Sequence, residues 1–275
     1  METEQQVARH YGRSGIEQAI LEALRASGKD VDHLAPGDLS GADEFHLGWQ
    51  AATAELARDL GLGPELHVLD VGSGIGGPAR HFAAAQGCRV TGIDLTAEFV
   101  EAARALTRRC GLAGLVSFCQ GSALAMPFPD AEFDAATLIH VGMNIADKAA
   151  LFAEVHRVLR PGARFGVYDV MRVADGDLPY PMPWAATPET SFVETPETYR
   201  RLLREASFTV EAEHDRSDLA LRLGREMRER AAVEGAPPLG LHLLMGPATR
   251  ERIGNVMATL ERGLIAPVAM VARAG

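Results

Sequence analysis

Residues 67–71, His-Val-Leu-Asp-Val, run without a break into Gly72-Ser73-Gly74-Ile75-Gly76-Gly77, and a helix-compatible stretch begins at Pro78. A short β-type run that stops on clustered glycines and restarts as a helix specifies a strand–turn–helix unit, because glycine enters left-handed backbone conformations without steric cost. Such a turn lets the main chain come close to a ligand at a helix N-terminus. Gly72, Gly74 and Gly77 satisfy G-x-G-x-x-G, a spacing shared with dinucleotide-binding turns, so the turn alone leaves the ligand open.

From Leu66 onward, β-type runs at 66–71, 88–95, 115–120, 133–141 and 163–170 alternate with amphipathic segments, and a last pair is expected near 208–213 and 267–272. That alternation specifies βαβ units. The expected fold is α/β: a doubly wound, Rossmann-like, mostly parallel seven-stranded sheet with helical cap segments. Thr96, followed by Glu98 and Glu101, is expected to cap the helix after the second strand, and Thr195-Pro196 the helix carrying Tyr199, Leu202, Leu203 and Ala206. Leu151, Phe152, Val155, Val158 and Leu159 make an apolar stripe that stops at Pro161-Gly162. Three stretches fall outside the alternation. The expected division is therefore an N-terminal helical cap segment at 1–55, a core at 56–216 with 171–195 as a cap loop, a helical cap insertion at 217–262 and a final core strand at 263–275.

With 275 residues, of which 47% are apolar and 6% aromatic, the chain can bury one sizeable core plus elaborations. Its net charge of −10 lacks the basic footprint that nucleic acid requires. The arginines at 108–109, 200–204 and 225–230 are interleaved with glutamates and read as solvated helix faces. Cys88, Cys110 and Cys119 have neither disulfide nor metal-ligand spacing, which suits a reducing compartment. The N-terminus lacks an apolar signal core, and no run approaches 18 apolar residues. A cytoplasmic protein without a membrane span or metal site is expected, with oligomerisation open.

Two carboxylates narrow the ligand. Asp70, two residues before Gly72, would repel a pyrophosphate but attract an ammonium group, directly or through water. Asp94 ends the second strand, where it can accept hydrogen bonds from both hydroxyls of a ribose. An ammonium group and a ribose on one molecule point to S-adenosylmethionine (SAM).

The segments LDVGSGIGG, GIDLT, QGSALAMPF, FDAATLIHV and RVLRPGARF, in that order, resemble the class I SAM-dependent methyltransferases that act on small molecules, over roughly residues 42–215. The resemblance implies that Gly72, Ser73 and Gly74 face the methionine portion of SAM, Asp94 holds the ribose, Leu95 packs on adenine, and Ser122 and Ala123 add adenine contacts. Ser122 stands where the family usually has aspartate, which implies that the hydrogen bond to the adenine amino group is weaker or comes from the backbone. DEFHLGWQAAT resembles the stretch before the first motif in phosphoethanolamine N-methyltransferases. It places Phe45, His46 and Gly48 against the cofactor, with Trp49 where a second glycine is usual. The alternative is that Phe45 and Leu47 pin the N-terminal helices to the core.

Methyl transfer from a sulfonium is an in-line displacement, so positioning supplies most of the rate and a proton acceptor adds a factor of about 10²–10⁴. His140 closes the fourth strand at the carboxyl edge of the sheet and is the first candidate for that acceptor, beside the cofactor. The alternative is a histidine bridging cap and core. Asp169 lies in VYDVM, which resembles VYEWVM-like segments of sterol C-methyltransferases where an acid faces the acceptor; the alternative is a loop cap. Tyr11 resembles a tyrosine that phosphoethanolamine enzymes fold over the site, with core packing as the alternative.

Residues 178–184, with Phe192, Leu241, Leu243, Leu244 and Met245, are expected to wall a nonpolar pocket, and Tyr180 and Trp184 could instead hold a methylated ammonium. The expected acceptor is a small, largely nonpolar metabolite taking the methyl on oxygen, nitrogen or an electron-rich carbon. Competing readings are N-methylation of a small amine or phosphobase, an NAD(P)-dependent reductase, and a catalytically silent SAM-binding subunit. A prenyl diphosphate acceptor would bring Arg172 and Mg²⁺ to its phosphates.

Overall fold

A computed structural model describes residues 4, 6, 10–12 and 15–275; the remaining positions of the expected 1–55 segment lie outside the described residues. Seven strands, β1 (His67–Val71), β2 (Arg89–Asp94), β3 (Val116–Gln120), β4 (Phe133–Ile139), β5 (Leu159–Arg172), β6 (Phe208–Asp215) and β7 (Ile265–Ala274), form one sheet ordered β3-β2-β1-β4-β5-β7-β6. The first five run parallel, and β7 lies antiparallel between β5 and β6. Chain order reverses between β1 and β4, which opens a crevice beyond the carboxyl ends of those strands. All five residues of β1 are buried, as expected for a central strand covered on both faces.

The helices that cover the sheet follow from the apolar periodicity. On one face, α6 (Lys148–Val158) and α7 (Pro196–Glu205) bury Leu151, Phe152, Val155, Val158, Tyr199 and Leu203 against β4 and β5. Thr195 accepts from the Thr198 amide at 3.1 Å, so its expected cap is present. On the other face, α3 (Trp49–Leu60), α4 (Gly77–Gln86) and α5 (Ala97–Arg109) bury Leu56, Phe82, Ala103 and neighbours. The side chain of Thr96 makes no cap bond to α5; the Asp94 carboxylate instead accepts from the Thr96 amide at 2.8 Å. Strand β5 continues to Arg172, so Asp169 lies inside the strand and not at its end.

Beyond the sheet, α1 (Ile16–Ala26), α2 (Ser40–Asp43) and the short α9 (His242–Met245) pack over α5 around Ile20, Leu24, Leu39 and Leu244. Leu47, Met143, Met182, Trp184, Val256 and Leu260 form a further cluster, which joins the loop after β5 to α8 (Ser217–Glu234) and α10 (Thr249–Glu261). The caps therefore carry cores of their own and seat on the carboxyl edge of the sheet.

One buried cation ties cap to sheet. Arg80 on α4 has no exposed surface. It donates to Asp43 at 2.7 Å, to the Ile75 carbonyl at 2.8 Å and to the Thr107 hydroxyl at 3.0 Å. α2, the glycine turn and α5 are thus held by one guanidinium. Truncating one partner of such a pair leaves an uncompensated buried charge. Arg80→Met is expected to lower unfolding free energy by about 3–5 kcal/mol. Chemical denaturation checks this, and an unchanged midpoint would show that the pair does not hold the cap.

Candidate active site

The crevice between β1 and β4 deepens into a cavity of about 360 Å³. Its floor is the glycine turn. Gly72 has φ +71°, and a Cβ there would stand 2.3 Å from Cγ2 of Val141, so the position requires glycine. Gly74 has φ +53° and open space where its Cβ would be. The amides of Gly72 and Ser73 donate to the Ile93 carbonyl, that of Gly76 to Ser73, and that of Gly74 to the Asp94 carboxylate at 2.8 Å. With those amides engaged inside the protein, they are not available to cradle a pyrophosphate, which removes the main support for a dinucleotide.

Asp70 and Asp94 reach this floor from the carboxyl halves of β1 and β2. Asp70 is 2% exposed; its Oδ1 accepts from the Thr137 hydroxyl at 2.8 Å, while its Oδ2 has no partner. Burial pushes its carboxyl up to about 7, with the Asp94 charge acting in the same direction and the Thr137 hydroxyl against it. Asp94 accepts the amides of Gly74 and Thr96 on separate oxygens, and burial raises it too despite those bonds. A buried carboxylate oxygen without a donor is costly, and a cation or N–H donor at that point repays the cost. These groups fit the ammonium and ribose of SAM.

Leu95, Ser122 and Ala123 line the same cavity. The Ser122 hydroxyl donates to Glu4 and accepts from the Leu124 amide, so its proton is engaged within the chain. Phe45, His46 and Tyr11 also line the cavity. Tyr11 sits across Asn144, its hydroxyl 3.4 Å from Asn144 Oδ1, with its ring 6.3 Å from Phe45 and 5.8 Å from Phe99. Gly48 does not reach the wall. It precedes α3 with φ +85°, and a Cβ there would press on Ala52 at 2.9 Å, so the backbone at this position requires glycine.

His140 follows the last residue of β4 and lines the cavity. Its φ is +53°, a left-handed conformation that costs a non-glycine residue roughly 1–2 kcal/mol. Its amide donates to the Tyr168 carbonyl at 2.7 Å, and its Nε2 is buried without a partner. Burial, aided by neighbouring His46, holds its imidazole well below the ordinary range, so it is neutral at pH 7. His46 is likewise held at about 4 by burial.

Asp169 corrects the expectation placed on it. It has no exposed surface and is absent from the cavity wall; its Oδ2 accepts from the Tyr199 hydroxyl at 2.7 Å, and a Cβ on Gly142 would meet that oxygen at 2.2 Å. It supports the loop after β4 from behind. Of the residues expected to wall a nonpolar pocket, Pro183, Trp184 and Leu244 do so, while Tyr180, Phe192, Leu241, Leu243 and Met245 do not. Arg172 is also elsewhere, donating to the Gly176 carbonyl at 2.7 Å. Residues that sequence reasoning missed include Asp43, Val141, Met143 and Asn144. Asn144 was within reach of a motif-based search, four residues beyond His140 in HVGMN. Among the described residues, no group of three or more His, Cys, Asp or Glu stands together as a metal site, and no helix is long and apolar enough to cross a membrane.

A Rossmann-like sheet whose glycine turn is flanked by Asp70 and Asp94 defines the class I SAM-binding fold. Residues 69–167 match the family described as "Methyltransferase domain". O-methyltransferase resE of Aspergillus sclerotiorum is 30% identical over 232 residues, which cover 82% of this chain and 86% of that protein. Sterol 24-C-methyltransferase ERG6B of Gibberella zeae is 40% identical over 114 residues, 42% of this chain, and the match spans only 30% of that relative's length. Geranyl diphosphate C-methyltransferase from Streptomyces coelicolor A3(2), solved with Mg²⁺, geranyl diphosphate and S-adenosyl-L-homocysteine, shares the fold with a TM-score of 0.71 at 16% identity, covering 100% of this chain and 98% of that one. So does the [4+2]-cyclase SpnF, with a TM-score of 0.69 at 24% identity over 98% of this chain and 96% of that one. The chain belongs to the SAM-dependent methyltransferases.

Burial pushes the Asp70 carboxyl from an ordinary 3.8 up to about 7. Its proton is therefore bound below pH 7, whereas a cationic ligand requires the ionised form. SAM affinity is expected to rise about fivefold from pH 6 to pH 7.5, before the ligand's own α-ammonium gives up its proton. Calorimetric titration checks it, and Asp70→Asn is expected to flatten the dependence; an equally steep slope in that variant would take Asp70 out of the account.

Proposed function

We propose that the protein is an enzyme that transfers a methyl group from SAM to a small, largely nonpolar acceptor. The observation that carries this reading is one cavity with two kinds of wall. Around the glycine turn stand Asp70, Ser73, Asp94, Leu95, Ser122 and Ala123. From the caps and the loop after β4 come Tyr11, Phe45, Met143, Pro183, Trp184 and Leu244. The first set suits a cationic, ribose-bearing ligand and the second an apolar one beside it. The relative named for sterol methyl transfer supports a nonpolar acceptor.

Charge separates the competing acceptors. The wall contains Glu4, Asp43, Asp70, Asp94 and Asp147 but, among the described residues, no lysine or arginine. With no such side chain to meet its phosphates, a diphosphate acceptor would depend on Mg²⁺ bridging it to those carboxylates, and the proposal invokes neither. A small amine finds no partnerless carboxylate among the cap residues. His140, neutral and facing the cavity, is the proposed proton acceptor, in preference to Asp169 or the roof residue Tyr11.

In this reading residues 56–216 hold SAM, while 1–55, 171–195 and 217–262 enclose the acceptor. The net charge of −10 and the three unpaired cysteines favour a cytoplasmic enzyme of small metabolites over one acting on nucleic acid.

Calorimetry with SAM, S-adenosylhomocysteine and NADPH tests the cofactor. Binding of the first two and none of NADPH is expected, and Asp94→Ala is expected to weaken SAM by about tenfold or more, the equivalent of one or two lost hydrogen bonds to a charged group. NADPH binding without SAM binding would replace the reading with a reductase. SAM binding without any methyl transfer into a cell extract would make the chain a silent SAM-binding subunit.

A further inference from the structure

A buried ammonium stands behind the wall formed by the loop after β4. Lys148, the first residue of α6, is 2% exposed, and its Nζ donates to the Ile145 carbonyl at 3.0 Å and to the Phe192 carbonyl. The first carbonyl belongs to the loop after β4 and the second to the loop after β5, so one cation joins two segments that lie outside the sheet. A main-chain bond runs beside it, from the Phe192 amide to the Met143 carbonyl at 2.8 Å. The backbone of Lys148 is itself held, because the Asp147 carboxylate accepts from the Ala150 amide at 2.9 Å and caps α6. Burial lowers the Lys148 pKa, while the charges of Asp169 and Glu194 oppose that shift. Desolvating an ammonium is unfavourable, and the two carbonyls and this field offset it.

Asp169 and Tyr199 complete the network. The Tyr199 hydroxyl donates to Asp169 Oδ2 at 2.7 Å, and Lys148 Nζ stands 5.8 Å from the centroid of the Tyr199 ring. Both partners press on Gly142, where a Cβ would meet the Asp169 oxygen at 2.2 Å and the Tyr199 hydroxyl at 2.4 Å. Lys148, Asp169 and Tyr199 are all absent from the cavity wall, but what they hold is part of it. Met143, Asn144 and Ile145 come from the first loop and Trp184 from the second, and the Trp184 Nε1 donates to the Ser191 hydroxyl at 2.8 Å, one residue before Phe192. Met143 and Trp184 also share one buried cluster.

We propose that Lys148 is a positioning residue for methyl transfer: braced by Asp169 and Tyr199, it clasps the loops after β4 and β5 together and so fixes the wall against which the acceptor lies. This rests on the methyl-transfer reading above. The floor of the cavity is set separately, through the bonds of the glycine turn to Ile93 and Asp94, of Asp70 to Thr137 and of Arg80 to Ile75, none of which involves Lys148. The two sides of the cavity are therefore separable. Losing the clasp lets Met143, Asn144 and Trp184 shift while Asp70 and Asp94 stay in place. An in-line displacement is sensitive to such a shift, since a misplacement of about 1 Å caused far from the chemistry can cost about 10²-fold in rate. Methionine at position 148 would occupy a similar volume but leave the Ile145 and Phe192 carbonyls without this donor.

The test compares the parent protein with Lys148→Met, using SAM labelled as CD₃, a cell extract as the source of acceptor and mass spectrometry of the labelled product, together with amide hydrogen exchange of both proteins. The variant's rate is expected to fall about 10²-fold while its half-saturating SAM concentration and its calorimetric affinity for S-adenosylhomocysteine stay unchanged. Faster exchange is expected in peptides covering 141–146 and 185–193 and not in β1 or α4. An undiminished rate, or unchanged exchange in those two segments, would overturn the role given to Lys148. So would a parallel loss of rate and of S-adenosylhomocysteine affinity, which would make the cation a support of the whole fold. Tyr199→Phe keeps the ring and removes the hydroxyl from Asp169. If Lys148→Met does not fold, this second variant is expected to show the same pattern with a fall in rate of about tenfold, and full activity in it would overturn the proposal. Absence of any labelled product from the parent protein despite SAM binding would overturn the methyl-transfer reading and this inference with it, whereas equal product from parent and variant strikes the clasp alone.

Discussion

Asp70 is the constraint on which the site depends. Its carboxylate sits in the centre of the sheet with one oxygen satisfied by Thr137 and the other by nothing in the chain. A fold does not keep a half-satisfied buried acid for stability, since ionising it there is unfavourable. The sign follows from its raised pKa: the uncharged form is the one the unliganded fold tolerates, so this group's contribution to stability is lost as pH climbs through about 7. A ligand that brings an ammonium group to Asp70 recovers that loss, which couples occupancy to stability.

The surrounding elements hold that arrangement still. Parallel pairing of β1 with β2 sets Asp70 opposite Gly92 and brings Asp94 to the turn, where it accepts the Gly74 amide. Val141 fills the space that a side chain at Gly72 would need, and Asp43 lies against Gly77 so closely that a Cβ there would be 2.1 Å from its carbonyl oxygen. Arg80 then joins Asp43 to the turn and to α5. The enclosing caps are thus tied to the same few residues that form the floor of the cavity.

Much of this was legible in the sequence, because it depends on short-range signals. The strand–glycine–helix unit, the two strand-end acids and the βαβ alternation each occupy a few consecutive residues, and the observed sheet carries the expected strands with β5, β6 and β7 extended by a few residues. The misses depend on facing and on distant contacts. Asp169 lies inside β5, where period-2 alternation turns it away from the cavity toward Tyr199. Gly48 lies off the cavity wall, where its left-handed backbone angle opens α3. Asn144 and Met143 enter the wall only because the caps fold back over the loop after β4, which no local pattern specifies.

The central claim is that Asp70 and Asp94 hold a cationic nucleoside while the caps close a chamber with apolar walls beside it. A crystal structure with S-adenosylhomocysteine tests it most directly. The account predicts the ligand's ammonium at Asp70 Oδ2, directly or through one water, its ribose hydroxyls on Asp94, and its sulfur directed toward the space beside His140. A ligand seated with its ribose away from Asp94, or with its sulfur walled off from His140 and Trp184, would contradict it.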